Sequence, residues 1–503
     1  MASHRVDKSS VALRALERFY RTPLDVELEQ HLTESPAVAA LELFQAAARE
    51  VPAYGIFLRD AGCEPNDVRT AADFARVPTA TKDTYHRRHA LSALCRGGEL
   101  SSCDMLAVSS GSTGEPAIWP RFVSDEVGTA FRFEQVLRDA FQAHQKPTLA
   151  VVCFALGSWV GGMYTAACLR HVAAKGYPLT LVTPGNQKAE ILRVLRALSP
   201  SFEQIVLCGY PPFLKDVIDG GRADGFDWHD KPVKLLMAGE VFSEEWRSIV
   251  CERLGARQPE LATASLYGTA DGGVLANETP LSILVRQELA KAPALTRELF
   301  GEARLPTLCQ YDPRHRYFEA DAGELLFSAD GGIPLVRYKI LDRGGVHGFE
   351  QLTSRLAAHG ADSVGVLKTQ AVAVRRLPFV HVFGRSNFAL SFYGANVYPE
   401  NVAVGIEQPA LLVALSGKFV MQIAHDADQN PVLDVAVELL PGQAASEDLS
   451  ADVAASVQRE LERLNSEFKN YAPDAARRPR IRLLPHAEPS YFPLGVKHRY
   501  TRA

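Results

Sequence analysis

Ser109-Ser110-Gly111-Ser112-Thr113-Gly114 places four hydroxyls and two glycines in six consecutive residues, directly after the apolar run Met105-Leu106-Ala107-Val108. Such a segment reads as a strand running into a glycine-hydroxyl loop. Glycine allows the backbone to bend and a ligand to come close. The exposed N–H groups and hydroxyls of a loop like this form an anion nest suited to phosphate oxygens. It is not a P-loop: Glu115-Pro116 follow where G-x-x-x-x-G-K-[ST] requires Lys and Ser/Thr. No lysine follows to reach β- and γ-phosphates, which argues against a P-loop NTPase.

The elements around this loop predict an α/β protein. From residue 10 to 90 the apolar spacing is mostly helical. From Leu106 to Leu341 short apolar strands (148–155, 178–182, 204–207, 233–237) alternate with helical segments (161–174, 188–198, 212–219 and 243–254, with Ser243 as N-cap). This alternation predicts a parallel sheet covered by helices, with ligands beyond the carboxyl ends of its strands. The loops after Val108, Phe154, Leu207 and Met237 are then site loops. Near residues 383–387 the pattern changes. Shorter strands, one amphipathic helix over 451–470 and a basic end (Arg477, Arg478, Arg480, Arg482, Lys497, Arg499, Arg502) predict a small α+β domain. The expected domains are 1–384, a large unit, and 385–503, a small one. A chain of 503 residues is long enough for both.

A net charge of −5 gives no reason to expect a nucleic-acid partner. The eight cysteines form no C-x-x-C pair, which signals neither a zinc ribbon nor a thioredoxin-like site, and a reduced compartment fits best. No apolar stretch has the roughly 18–20 residues of a membrane span, and the first residues lack a signal-peptide core. A cytoplasmic protein is expected, monomer or homodimer.

Further residues of chemical interest follow in order: Ala238-Gly239-Glu240, Tyr267-Gly268-Thr269-Ala270-Asp271, Asp342 within Arg337–Arg343, Gly384-Arg385-Ser386-Asn387, Tyr393-Gly394-Ala395-Asn396-Val397, and Lys497 in Pro493-Leu494-Gly495-Val496-Lys497. Each alone is an ordinary strand end, turn or surface charge. Together, in this order, they resemble the adenylate-forming superfamily of acyl-CoA synthetases, peptide-synthetase adenylation domains and luciferases, and most nearly its phenylacetate-CoA ligase and coenzyme F390 synthetase-like branch.

That resemblance implies a large AMP- and acyl-binding domain with helix-covered sheets over 1–384 and a small mobile C-terminal lid over 385–503, hinged near Asn387. It implies that ATP and a carboxylate give an acyl-adenylate and pyrophosphate, after which a nucleophile displaces AMP. Ser109 to Gly114 would hold the β- and γ-phosphates through backbone N–H groups and the hydroxyls of Ser110, Ser112 and Thr113. Asp271, where the family has glutamate, would bind Mg²⁺. Asp342 would bond the ribose hydroxyls. Gly239, Glu240, Tyr267, Gly268 and Thr269 would line the adenine and acyl groups, with Tyr267 able to stack on the base. Arg385 would contact ribose or phosphate. Lys497 matches the lysine that binds the carboxylate and α-phosphate. The family pattern P-x-x-x-G-K departs here, since Val496 stands between Gly495 and Lys497. Lys418, in mid-domain, is the poorer candidate.

Phe154, Trp159, Gly161, Gly162 and Ala238 resemble the aromatic-and-glycine wall of an aryl pocket, which implies an aryl carboxylic acid. His171 and His381 are weaker pocket candidates. The acceptor is open among CoA, a carrier-protein thiol, and a small hydroxyl or amine. Two other readings remain: AMP transfer to a deazaflavin hydroxyl, and a nucleotide-binding protein that no longer catalyses, motivated by Asp271, Asn387 and the displaced Lys497.

Overall fold

The computed structural model describes residues 8–108, 117–157, 160–385, 390–393, 395–426, 430–494 and 498–502. The Ser109–Gly114 segment, Trp159, Asn387, Gly394 and Lys497 lie outside the described residues, as does the side chain of Arg385.

Five α-helices between Lys8 and Phe74 open the described residues. Strands β1 (Met105–Val108) and β2 (Ile118–Arg121) pair antiparallel, with Val108 opposite Ile118. The glycine-hydroxyl segment therefore joins two paired strands. The main sheet contains β3 (Thr148–Val152), β4 (Leu179–Val182), β5 (Gln204–Gly209), β6 (Val233–Ala238), β7 (Thr263–Thr269), β8 (Gly273–Asn277), β9 (Thr307–Gln310), β10 (Tyr317–Asp321), β11 (Glu324–Ala329), β12 (Leu335–His347) and β13 (Phe379–Arg385). Its order is β10-β11-β12-β13-β9-β8-β7-β6-β5-β3-β4.

The expectation of a parallel sheet holds for one half only. β4, β3, β5, β6 and β7 are parallel, and every pair from β7–β8 outward to β10 is antiparallel. The reason is the connections. Helices cross over between β3, β4, β5, β6 and β7, whereas three residues join β7 to β8, and a turn that short forces the chain back alongside itself. In the parallel half both faces are covered. Leu149, Val151, Ile205, Leu207, Leu235 and Met237 enter one buried cluster, while their neighbours Ala150, Val152, Val206, Cys208 and Leu236 enter another. This is why these strands read as continuous apolar runs.

The predicted helices appear as Val160–Ala174, Lys188–Leu198, Pro211–Ala223 and Glu244–Arg253, the last capped by Ser243, whose hydroxyl accepts from the Trp246 N–H at 3.0 Å. After β13 come a short ribbon, β14 (Leu390–Phe392) with β15 (Ala395–Val397), and a three-stranded sheet of β16 (Leu415–His425), β17 (Pro431–Leu439) and β18 (Arg480–Leu484). The single helix expected over 451–470 is two, Glu447–Leu464 and Ser466–Tyr471. Asn465 breaks it: its backbone is extended, and its side chain accepts from the Phe468 N–H and so caps the second helix. The basic end is largely paired within itself. Arg480 and Arg482 both bond the buried Asp434, and Arg482 and Arg502 stack on Tyr491.

The C-terminal part docks on the main body through buried polar contacts. Lys418 pairs with Asp216 and, at 3.4 Å, with Glu438. Glu407 accepts from the Ser243 N–H at 3.0 Å. Burial pushes the Glu407 carboxyl up to about 7, with the Ser243 hydrogen bonds opposing. Its folded pKa therefore lies above its unfolded one, so this contribution to stability is complete below the ordinary carboxylate range and is lost as pH rises through about 7. Between about pH 5 and pH 8 the wild-type Tm should fall relative to that of Glu407→Gln, which cannot ionise. Parallel pH profiles for the two proteins would refute this.

Candidate active site

The loops that close the main sheet bring several expected residues together. Asp342 lies on β12, 6% exposed, and accepts the Tyr267 hydroxyl at 2.7 Å. The preceding Leu341 has φ +65°, a left-handed conformation that costs energy for a branched side chain. Across β12 and β13, Asp342 stands opposite Arg385. Tyr267 lies near Phe318, ring planes within 25° and centroids 6.4 Å apart.

Asp271 sits in the β7–β8 turn and is 5% exposed. Tyr338 of β12 donates to its Oδ2 at 2.7 Å, and Lys82 Nζ lies 3.3 Å from Oδ1. Arg121, at the end of β2, donates to the Ala270 and Asp271 carbonyls. Strand β2 is thus anchored to the turn bearing Asp271. Lys82 was not singled out from the sequence. It arrives because Ala80 bridges to β12, with Ala80 N–H to Arg337 O at 3.2 Å and Lys339 N–H to Ala80 O at 2.8 Å. Its ammonium also lies 5.7 Å from the Trp119 ring, a residue of β2.

The fit of Mg²⁺ to Asp271 can be tested on this geometry. Both carboxylate oxygens have partners, and one of these is itself a cation. A metal ion on Oδ1 would share its place with the Lys82 ammonium, and two cations on one carboxylate oxygen repel. A Mg²⁺ ion on Oδ1 would have to displace the Lys82 ammonium, which holds the cation's place at Asp271 among the described residues.

On the other side of the site, Gly239 follows β6 with φ +84°, and a Cβ there would come within 2.8 Å of the Tyr210 ring. Tyr210 was also missed from sequence. It precedes the helix Pro211–Ala223, meets Phe154 edge-on at 5.0 Å, and burial pushes its hydroxyl up to about 12. Phe154 itself is 2% exposed and belongs to the core. Gly162 is required by packing, since a Cβ would lie 2.3 Å from the Ala155 carbonyl oxygen, whereas a Cβ at Gly161 meets nothing closer than 3.6 Å.

Glu240 holds the chain end. It accepts from the His498 N–H at 3.1 Å and the Tyr500 hydroxyl at 3.2 Å. The residue after Lys497 is therefore tied to the loop that follows β6. His171 and His381 stand elsewhere: His171 bonds Glu126 and Tyr20 on a helix, and His381 bonds His347 at 3.0 Å within the antiparallel half of the sheet.

No protein-family model matches the chain, and no curated protein matches it. Solved structures do. A 2-hydroxyisobutyryl-CoA ligase in the postadenylation state with R3-HIB-AMP matches at 15% identity and TM-score 0.65, over 93% of this chain and 88% of that one. The same ligase in an open conformation with 2-HIB-AMP and CoA matches at 14% identity and TM-score 0.53, over 93% and 90%. The acyl acid amido synthetase AtGH3.15, in complex with 2,4-DB, matches at 12% identity and TM-score 0.58, over 99% and 95%. Such identities establish the fold: this chain has the acyl-CoA synthetase-like fold of adenylate-forming ligases, with its large sheet and smaller C-terminal domain.

Proposed function

We propose that this protein activates a carboxylic acid with ATP and hands the acyl group to a nucleophile. A carboxylate oxygen attacks the α-phosphorus, the bond to the β-phosphate oxygen breaks, and pyrophosphate leaves. A thiol or amine then attacks the acyl carbonyl, AMP leaves, and the acceptor's proton passes to solvent or a base. Attack of this kind needs placement and charge neutralisation rather than covalent help from the protein.

The observation that carries the reading is the convergence of Asp342, Tyr267, Asp271 and Lys82 on the same strand ends, with the chain end docked beside them at Glu240. Asp342 bonds the ribose hydroxyls, oriented by Tyr267. The glycine-hydroxyl segment takes the β- and γ-phosphates. Lys82, held at Asp271, supplies positive charge from the N-terminal part, and Lys497 supplies it from the C-terminal end.

The acid we assign is an aryl acid, on the resemblance to phenylacetate-CoA ligases and on the Tyr210 ring that faces Gly161 and Gly239. CoA is the acceptor to test first, with a carrier-protein thiol or an amine as the others. A pyrophosphate-release screen over benzoic, hydroxybenzoic, aminobenzoic and arylacetic acids, with and without CoA, tests both half-reactions. No acid-dependent release above the ATP-only rate would overturn the proposal. Gly161→Leu should shift preference toward smaller acids by about 10-fold or more in kcat/KM, the scale of a few methylenes in an apolar pocket. An unchanged acid profile would remove Gly161 from the pocket.

A further inference from the structure

A second cluster of chemical groups lies apart from these residues, where the helix Leu24–Thr33 meets the loop after β9. Glu27 and His31 stand four residues apart on one helical face, 1% and 2% exposed. His315 joins them across the fold. One carboxylate oxygen of Glu27 and one ring nitrogen from each histidine all lie within 4.8 Å of one another. Glu27 Oε1 is buried and lies 3.2 Å from His31 Nε2 and 3.1 Å from Arg18 Nε. His31 Nδ1 bonds Asp312 Oδ2 at 2.8 Å, and the same oxygen lies 3.2 Å from His315 Nδ1 and 3.6 Å from Arg132.

The geometry points to a zinc-type divalent cation site formed by Glu27, His31 and His315, with Asp312 orienting the His31 ring. Two ligands about 2.0–2.1 Å from one tetrahedral ion stand roughly 3.3 Å apart, close to the Glu27–His31 separation. His315, whose side chain is 30% exposed, closes the remaining gap with a shift of about 1.5 Å, a small rotamer change. Two imidazoles and a carboxylate suit zinc and its first-row neighbours, not Ca²⁺ or Mg²⁺, which take oxygen ligands. The carboxylate–histidine contact at His31 Nδ1 is the usual outer support of a metal-bound imidazole, since it fixes the tautomer that presents Nε2.

A cationic group already stands at this place. The Arg18 guanidinium lies 3.0 Å from His31 Nε2 and 3.1 Å from the Glu27 carboxylate. Arg18 is 50% exposed, so it can swing into solvent and yield the position. Arg132 stays beside Asp312, where it balances the orienting carboxylate rather than the ligands. An ion here would tie the N-terminal helices to the loop leading into β10. It would also bear on the candidate active site, because Arg316, next to His315, donates to the Val274 and Gly272 carbonyls around the turn that carries Asp271.

The full-length protein, stripped with a chelator, is to be titrated with zinc chloride alone by calorimetry. One zinc per chain and a rise in Tm are expected. His31→Ala and His315→Ala should each abolish stoichiometric binding, and Asp312→Asn should weaken it about 10- to 100-fold. Asp271→Asn, outside the cluster, should bind zinc as the wild type does. Should the ligand variants fold poorly, the Co²⁺-loaded wild type still decides: an intense tetrahedral visible spectrum is expected. A weak octahedral spectrum, the absence of stoichiometric zinc, or zinc retained by a folded His31→Ala/His315→Ala double variant would each overturn the site.

Discussion

Asp342→Ala is expected to raise the KM for ATP about 10- to 100-fold, because hydrogen bonds to a charged group contribute about 1.5–3 kcal/mol each and 1.4 kcal/mol is tenfold. The carboxylate is buried on β12, held at 2.7 Å by Tyr267, and preceded by a residue in left-handed geometry. A side chain fixed in this way is organised before the nucleotide arrives, so binding loses little further entropy. The ribose does not change during attack at phosphorus, so the interaction is nearly uniform between ground and transition state, and kcat should fall far less than KM rises. Tyr267→Phe keeps the carboxylate and loses one support for its orientation, and should raise KM by a smaller factor. ATP kinetics unchanged in Asp342→Ala would reject the ribose role.

Lys497→Ala is expected to lower the rate of acyl-adenylate formation about 10²–10³-fold, the scale for removing one preorganised group aimed at developing charge. Acyl transfer from a supplied acyl-adenylate should survive, because that step no longer forms charge at the α-phosphate. Lys418→Met supplies the contrast. Lys418 is 8% exposed between Asp216 and Glu438, so its loss leaves carboxylates buried without their cation and should cost about 3–5 kcal/mol of stability. Its folded fraction should still adenylate at near the wild-type rate. If both half-reactions survive Lys497→Ala, or adenylation fails in folded Lys418→Met, the two lysines have been assigned the wrong way round.

The parallel half of the sheet was legible because its strands are short, apolar on both faces and separated by helices with clear limits, down to the Ser243 cap. The antiparallel half was not. β12 carries Arg337, Lys339, Asp342 and Arg343 in a strand of thirteen residues, and its apolar face shows only once β11 and β13 lie beside it. The site residues that were missed share one cause. Lys82 reaches Asp271 through a bridge from Ala80 to β12, Tyr210 gains meaning from Gly239 and Phe154, and His315 meets His31 from far along the chain. Local spacing carries no trace of such meetings. The positions of Asp271 and Gly239 were legible because each closely follows a strand, whereas Asp342 lies within β12. Glu240, expected beside the adenine and acyl groups, bonds the chain end at His498 and Tyr500.

One strand governs both acidic residues of the candidate site. Tyr338 and Asp342 stand four positions apart on β12, one grasping Asp271 and the other accepting from Tyr267. Tyr338 pairs with Phe327 of β11 and Asp342 with Arg385 of β13, and the register with β11 shifts between Lys339 and Arg343. Different neighbours therefore align the two residues: a slip against β11 would cost Asp271 its Tyr338 support, and a slip against β13 would turn Asp342 away from Tyr267, each without the other.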